Sequence, residues 1–234
     1  MAKRSSHAAT ALLLAIVGVL MLGANFMVFV YAPDEKVMGA VQRIFYFHVP
    51  AAIVAFTSTF VMLGASIGYL WTRSRIWDCL ARAATELALL FCLLVLITGP
   101  IWAKPAWGVW WTWEARLTTT LLLGLLLAAC VMVRSYADSA EQGARLASVL
   151  GIVAALDVPI IYKAVDWWRG QHPVVFGPGK KDPLAPEMRA TFLFCLLVFL
   201  LLYTLLLVLR TRIACHEERA RDAAETVAAR GEAG

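Results

Sequence analysis

The chain reads as an all-α integral membrane protein, a six-transmembrane-helix bundle with a tryptophan-rich loop at its outer face. Three observations predict it. First, 61% of the 234 residues are hydrophobic and 16% are charged, more apolar surface than a soluble domain of this size can bury. Second, apolar runs recur near residues 8–32, 49–71, 87–102, 117–133, 146–162 and 190–209. Third, Arg and Lys stand close to alternate ends of these runs, as the positive-inside pattern has it. Backbone polar groups in lipid must be paired within their own segment, so each run should be a helix.

Crossing the hydrocarbon core takes roughly 20 residues, with about 17 near the lower limit. The first run is longer than a signal-peptide core and lacks a clear small-x-small cleavage site, so it is expected to remain as an anchor. The third is the shortest and reaches spanning length by taking in Glu86 or Ala103. The fifth carries Asp157 two residues before Pro159. Residues 10–210 then form one six-helix domain, 1–9 an N-terminal tail, and 211–234 a C-terminal tail rich in Ala, Arg and Glu.

With six spans both termini share a side. If that side is cytoplasmic, Lys3, Arg4, Arg73, Arg75, Arg82, Arg134, Arg145, Arg210, Arg212, Arg219, Arg221 and Arg230 lie inside, twelve of the 21 basic residues. Inner loops are then expected near 72–86 and 134–145, and outer loops at Tyr31–His48, Trp102–Arg116 and Lys163–Arg189. The net charge of +5 reflects this topology, and nothing points to nucleic acid. Cys79, Cys92, Cys130, Cys195 and Cys215 include no C-x-x-C pair and none in an outer loop. All five are read as small apolar residues, with no disulfide expected.

The polar chemistry collects in the outer loops. Trp107-Gly-Val-Trp-Trp-Thr-Trp-Glu114 holds four tryptophans within seven residues. As a helix it would place Trp107, Trp110, Trp111 and Glu114 at i, i+3, i+4 and i+7, on one face, with Trp113 beside them. An aromatic belt takes one or two Trp per helix end, which describes Trp71 and Trp77. The denser shelf, ending in a carboxylate where membrane meets water, suits a large planar apolar ligand with a charged rim. Haem is the candidate.

His7 and His216 fall in the inner tails, whereas His48 and His172 fall at the outer surface. His48 precedes Val49-Pro50 and His172 precedes Pro173, so each is expected near the end of an element. Two neutral imidazoles on opposite sides of a haem iron make a six-coordinate, low-spin site. His48 and His172 are therefore the expected axial ligands. Arg43 and Arg116 are the expected propionate contacts, since a guanidinium grips a carboxylate in bidentate fashion. Lys163, Arg169, Lys180 and Lys181 read as loop charges. Asp157, an ionisable group inside a span, either supports the site from below or ties two helices together. Trp167 and Trp168 stand as further support.

These residues resemble the tryptophan-rich haem-handling family of cytochrome c maturation, whose hallmark is an outer loop of the form WGxxWxWD. Within it the likeness is to the six-span haem exporter protein C (CcmC) branch. It is carried by Arg43-Ile-Phe-Tyr-Phe-His48-Val-Pro50, by Trp107 to Thr118, and by Asp157-Val-Pro-Ile-Ile, Val-Asp-Trp-Trp168 and Gln171-His172-Pro173. The likeness runs from about residue 10 to 210. It departs at Glu114, where the family has Asp; the charge is kept and the reach grows by one methylene.

The resemblance implies that the chain binds haem b at the outer face of the bacterial inner membrane. It implies delivery to the haem chaperone CcmE, alongside the ABC subunits CcmA and CcmB and the small membrane subunit CcmD. No G-x-x-x-x-G-K-[ST] loop occurs, so ATP hydrolysis would belong to another polypeptide. No nucleophile–base pair is evident, and the expected role is binding and transfer rather than catalysis.

Competing classes are a b-type electron-transfer membrane cytochrome, which would bury histidines within the spans, and a small-molecule transporter subunit with broken helices at mid-depth. No histidine lies within any of the six runs. Thr98-Gly99-Pro100 and Asp157 with Pro159 hint at breaks, but towards the outer ends. The larger haem–apocytochrome ligases share the Trp motif and need many more spans.

Overall fold

A computed structural model describes residues 2–168 and 184–232 and is built from helices. They are α1 (Ala2–Phe26), α2 (Phe45–Thr72), α3 (Arg75–Trp107), α4 (Ala115–Tyr136), α5 (Ala140–Trp168) and α6 (Pro186–Glu232). A π turn, Met27–Tyr31, extends α1, and a 3₁₀ segment, Ala40–Ile44, leads directly into α2. Six of these segments are long and apolar enough to cross a membrane, as the hydropathy pattern predicts. His172 lies outside the described residues, as do Arg169, Lys180 and Lys181.

The helices run past the apolar segments at both ends. The expected inner loops at 72–86 and 134–145 shrink to turns at 73–74 and 137–139. Transfer free energy sees only the lipid-facing part of a helix, whereas helical hydrogen bonding continues through polar residues. Arg73 closes α2 in the left-handed region at φ 54°, its N–H donating to the Tyr69 carbonyl at 2.8 Å. The two-residue turn then forces α2 and α3 into an antiparallel hairpin. α6 is 47 residues long, roughly 70 Å at 1.5 Å per residue, against a hydrocarbon core of about 30 Å. The expected C-terminal tail is thus a continuation of the sixth helix.

Two further expectations change. His48 lies inside the second candidate span, in the first turn of α2, where it was expected before the helix. Pro50 follows as the sixth residue of α2, inside the helix, where its ring has no N–H to donate to the turn before it. Thr98-Gly99-Pro100 is not a break either, since α3 continues through Pro100 and Pro105 to Trp107.

α2 packs on α3, α5 and α6; α4 packs on α3 and α5; and α1 leans on α6. The central core is rich in small side chains, with Ala51 and Ala55 of α2, Ala84 and Ala88 of α3, and Ala154 of α5 all buried. Small residues let helix backbones approach closely in a bilayer, where dispersion packing replaces the hydrophobic effect between helices. The outer faces carry exposed Leu12, Val19, Leu22, Leu193 and Leu197, the surface that lipid would solvate.

The end of the bundle that carries both termini is laced by charge. Arg134 donates to Asp78 at 2.7 Å, Arg82 meets Glu217 at 2.9 Å, Arg210 grips Glu86, and Arg75 pairs with Asp222. Here Cys79 of α3 and Cys215 of α6 form a disulfide, their Cα atoms 5.4 Å apart. This corrects the reading of five unpaired cysteines: the helical continuation of α6 carries residue 215 back alongside α3. Cys92, Cys130 and Cys195 are free and buried, as expected.

Candidate functional site

The opposite end carries the tryptophan loop. α3 stops at Trp107 because Gly108 takes φ 78°, and its N–H donates to the Lys104 carbonyl at 2.9 Å, a left-handed glycine closure. The chain bends through 108–110, and Glu114 then opens α4, its carbonyl accepting from the Thr118 N–H at 3.0 Å. The expected helical face of Trp107, Trp110, Trp111 and Glu114 therefore does not form. Gly108 reverses the chain in the middle of it. Trp107 and Trp111 turn inward to line a cavity, whereas Trp110 and Trp113 point away, 58% and 75% exposed.

That cavity has a volume of about 730 Å³ and lies between α2, α3, α4 and α5, within the roughly 300–1,000 Å³ of ligand pockets. Its walls are mainly apolar and aromatic. Trp102, Trp107, Trp111 and Phe56 line it, and Cys92, Leu123 and Ile161 from the bundle core also face it. Trp102 and Trp107 meet edge to face, with ring centroids 5.1 Å apart. A second edge-to-face pair, Trp111 and Trp113, has centroids 5.8 Å apart and links the inward ring to the exposed one. Such pairs hold aromatic planes at defined angles.

The polar groups at the cavity are few. His48 lines it from α2, with Nδ1 2.8 Å from Thr98 Oγ1 of α3. Arg116 enters from the first turn of α4, and Lys163 and Asp166 from the last two turns of α5. Lys163 Nζ lies 3.8 Å from Asp166 Oδ2 and 5.7 Å from the Tyr162 ring centroid. This corrects the reading of Lys163 as a loop charge. Its helix continues beyond the apolar run and carries it to the cavity mouth.

Arg43 goes elsewhere. Its Nη2 donates to Asp34 at 3.0 Å and its Nη1 to the Phe29 carbonyl at 3.3 Å, and it is not part of the cavity wall. The same loop is shaped by Glu35, whose Oε2 accepts from the N–H groups of Met38 at 2.7 Å and Val37 at 2.8 Å. Those donors, Met38 first, hold the Glu35 carboxyl below its ordinary pKa. The turn sets Met38 and Gln42 against the cavity.

Glu114 and the Trp167–Trp168 pair are not cavity residues. Trp167 and Trp168 end α5 in an edge-to-face contact at 5.8 Å, both largely exposed. Asp157 is 5% exposed and lies one helical turn before Ile161, which lines the cavity. It therefore stands beneath the site on the same helical face. Sequence reasoning missed Thr98, Trp102 and Asp166 as site residues. Asp166 had a signal in its i, i+3 spacing from Lys163, whereas Thr98 could be found only through its contact with His48.

Fold and cavity together define a polytopic membrane protein with a largely apolar, tryptophan-walled pocket at one end of the bundle. The chain belongs to the haem exporter protein C (CcmC) family, whose model matches residues 2–226. It is 35% identical over 196 residues to the haem exporter protein C of Bradyrhizobium diazoefficiens, covering 83% of this chain and 73% of that protein. Against the Escherichia coli K12 protein of the same name it is 32% identical over 206 residues, 87% of this chain and 83% of the relative. The Paracoccus denitrificans protein is also 32% identical, over 191 residues.

Proposed function

We propose that this chain binds haem b in the cavity at the loop-rich end and passes it to a haem chaperone for c-type cytochrome assembly. The observation that carries the reading is His48. An imidazole that could serve as an axial ligand stands in a tryptophan-walled cavity of about 730 Å³, together with two cationic side chains. His172 would supply the second axial ligand. Two histidines of this kind hold iron while leaving one ligand open to exchange with a partner.

The residues present suit the cargo. Trp102, Trp107 and Trp111 offer flat apolar surface for the porphyrin, and Arg116 and Lys163 offer charge for the propionates. Propionate binding would draw Lys163 away from Asp166, trading one carboxylate partner for another. Arg43, committed to Asp34, would act by holding the first loop. Trp110 and Trp113, with Glu114 between loop and helix, would form an outer rim accessible to a partner. Trp167 and Trp168 would extend that rim, and Asp157 would support the floor.

Both termini would lie in the cytoplasm, with the cavity facing the outer side of the plasma membrane. Arg73, Arg75, Arg82, Arg134 and Arg210 support this orientation, since all stand at the end of the bundle that carries the termini. The chain would work with CcmE as acceptor, and with CcmA, CcmB and CcmD as companion subunits. Its own part is binding and transfer, without bond-making chemistry.

The test is the absorption spectrum of the purified full-length protein, oxidised and reduced, beside His48→Ala and His172→Ala. A low-spin bis-imidazole spectrum, weakened or altered in both variants, is expected. A wild-type protein that takes up no haem on reconstitution, or variants with unchanged spectra, would overturn the reading.

A further inference from the structure

We infer that Thr98 positions His48 for iron by selecting its tautomer, so that the imidazole presents an unprotonated Nε2 in the cavity. The inference rests on His48 being an axial ligand. Nothing in the sequence links these residues, which stand on different helices fifty positions apart.

The Thr98 hydroxyl has a single proton to donate. Thr98 Oγ1 lies 2.7 Å from the Leu94 carbonyl, one turn earlier in α3, and 2.8 Å from His48 Nδ1. A carbonyl can only accept, so the close contact to Leu94 takes the hydroxyl proton. Back-bonding of this kind to the i−4 carbonyl is the ordinary behaviour of Thr within a helix. The Thr98 oxygen therefore meets Nδ1 with a lone pair, and Nδ1 must carry a hydrogen and donate. A neutral imidazole has one N–H, which leaves the lone pair on Nε2.

The opposite arrangement, with Thr98 donating to Nδ1, would protonate Nε2 and require a change of tautomer before ligation. It would also give up the Leu94 contact. Gly99 completes the seat: a Cβ there would stand 3.5 Å from His48 Cε1, so the ring lies against the α3 wall beside its hydrogen-bond partner. A donor hydrogen bond from the distal ring nitrogen fixes ring orientation and raises ligand basicity, and its removal typically costs metal sites about 10- to 100-fold in affinity.

The experiment compares wild type, Thr98→Val, Thr98→Ser and His48→Ala as full-length purified proteins reconstituted with ferric haem. Affinity is read by absorbance titration, the ligand field by the low-spin electron paramagnetic resonance signal, and basicity by the haem reduction potential. Valine keeps the shape and removes the acceptor. The expected result is roughly tenfold or greater loss of affinity in Thr98→Val, with a displaced low-spin signal and a higher potential. Thr98→Ser should restore all three. Thr98→Ala gives a second oxygen-free variant should the valine protein fail to fold. Wild-type values in the oxygen-free variant would overturn the inference, and so would a serine variant that behaves like valine. If His48→Ala keeps the low-spin signal, the ligand assignment itself has failed, a separate result.

Discussion

Arg43 and Asp34 form a 3.0 Å ion pair across the loop between α1 and α2, and the pair withdraws Arg43 from the cavity that its sequence position, five residues before His48, predicts for it. Lys163, from the far end of α5, stands at the cavity in its place. Haem titrations should separate the two. Arg116→Ala and Lys163→Ala should each weaken haem binding about tenfold, the value of one charge-assisted hydrogen bond. Arg43→Ala should change it less than about threefold, as an exposed pair contributes little. The reverse ranking would restore Arg43 as the propionate contact.

The tryptophan loop makes a second distinction. Trp111 faces the cavity and Trp113 is 75% exposed. Trp111→Ala should lower haem affinity roughly tenfold through lost aromatic packing of about 1–2 kcal/mol. Trp113→Ala should leave binding nearly unchanged. Equal losses in both, measured by the same titration, would mean that the loop closes on haem in another shape.

At the other end of the bundle, Asp78 and Arg134 form the most shielded ion pair described, with side-chain exposures of 9% and 17%. Breaking it from one side strands a charge and costs about 3–5 kcal/mol in buried settings. Arg134→Ala should therefore lower the thermal midpoint in detergent clearly. The double variant Asp78→Asn with Arg134→Ala should regain part of the loss, because no charge is left alone. Additive losses would show that the pair does not act as a unit.

The proposed orientation, with both termini in the cytoplasm, rests on the arginines around the turns at 73–74 and 137–139. A green fluorescent protein fused after residue 234 should fluoresce, and alkaline phosphatase at the same point should be inactive. An active phosphatase fusion would invert the bundle and place the cavity in the cytoplasm.

Hydropathy alone determined the six spans, because transfer free energy accumulates residue by residue along each segment and needs no knowledge of neighbours. The Trp-rich loop and the family likeness were legible for the same reason: they are local strings. The helix ends were not, since polar residues such as Arg75–Glu86 continue a helix that hydropathy no longer sees. Gly108 decided that Trp107 and Trp111 face inward while Trp110 and Trp113 do not, a choice made by one left-handed residue. Thr98 under His48, Lys163 in place of Arg43, and Cys215 beside Cys79 were decided by tertiary packing alone. Each of these depends on which faces of distant helices meet. That is set by the fit of small residues between α2, α3 and α5 and by the aromatic side chains that α6 packs on them, and it leaves no periodic trace in any one segment.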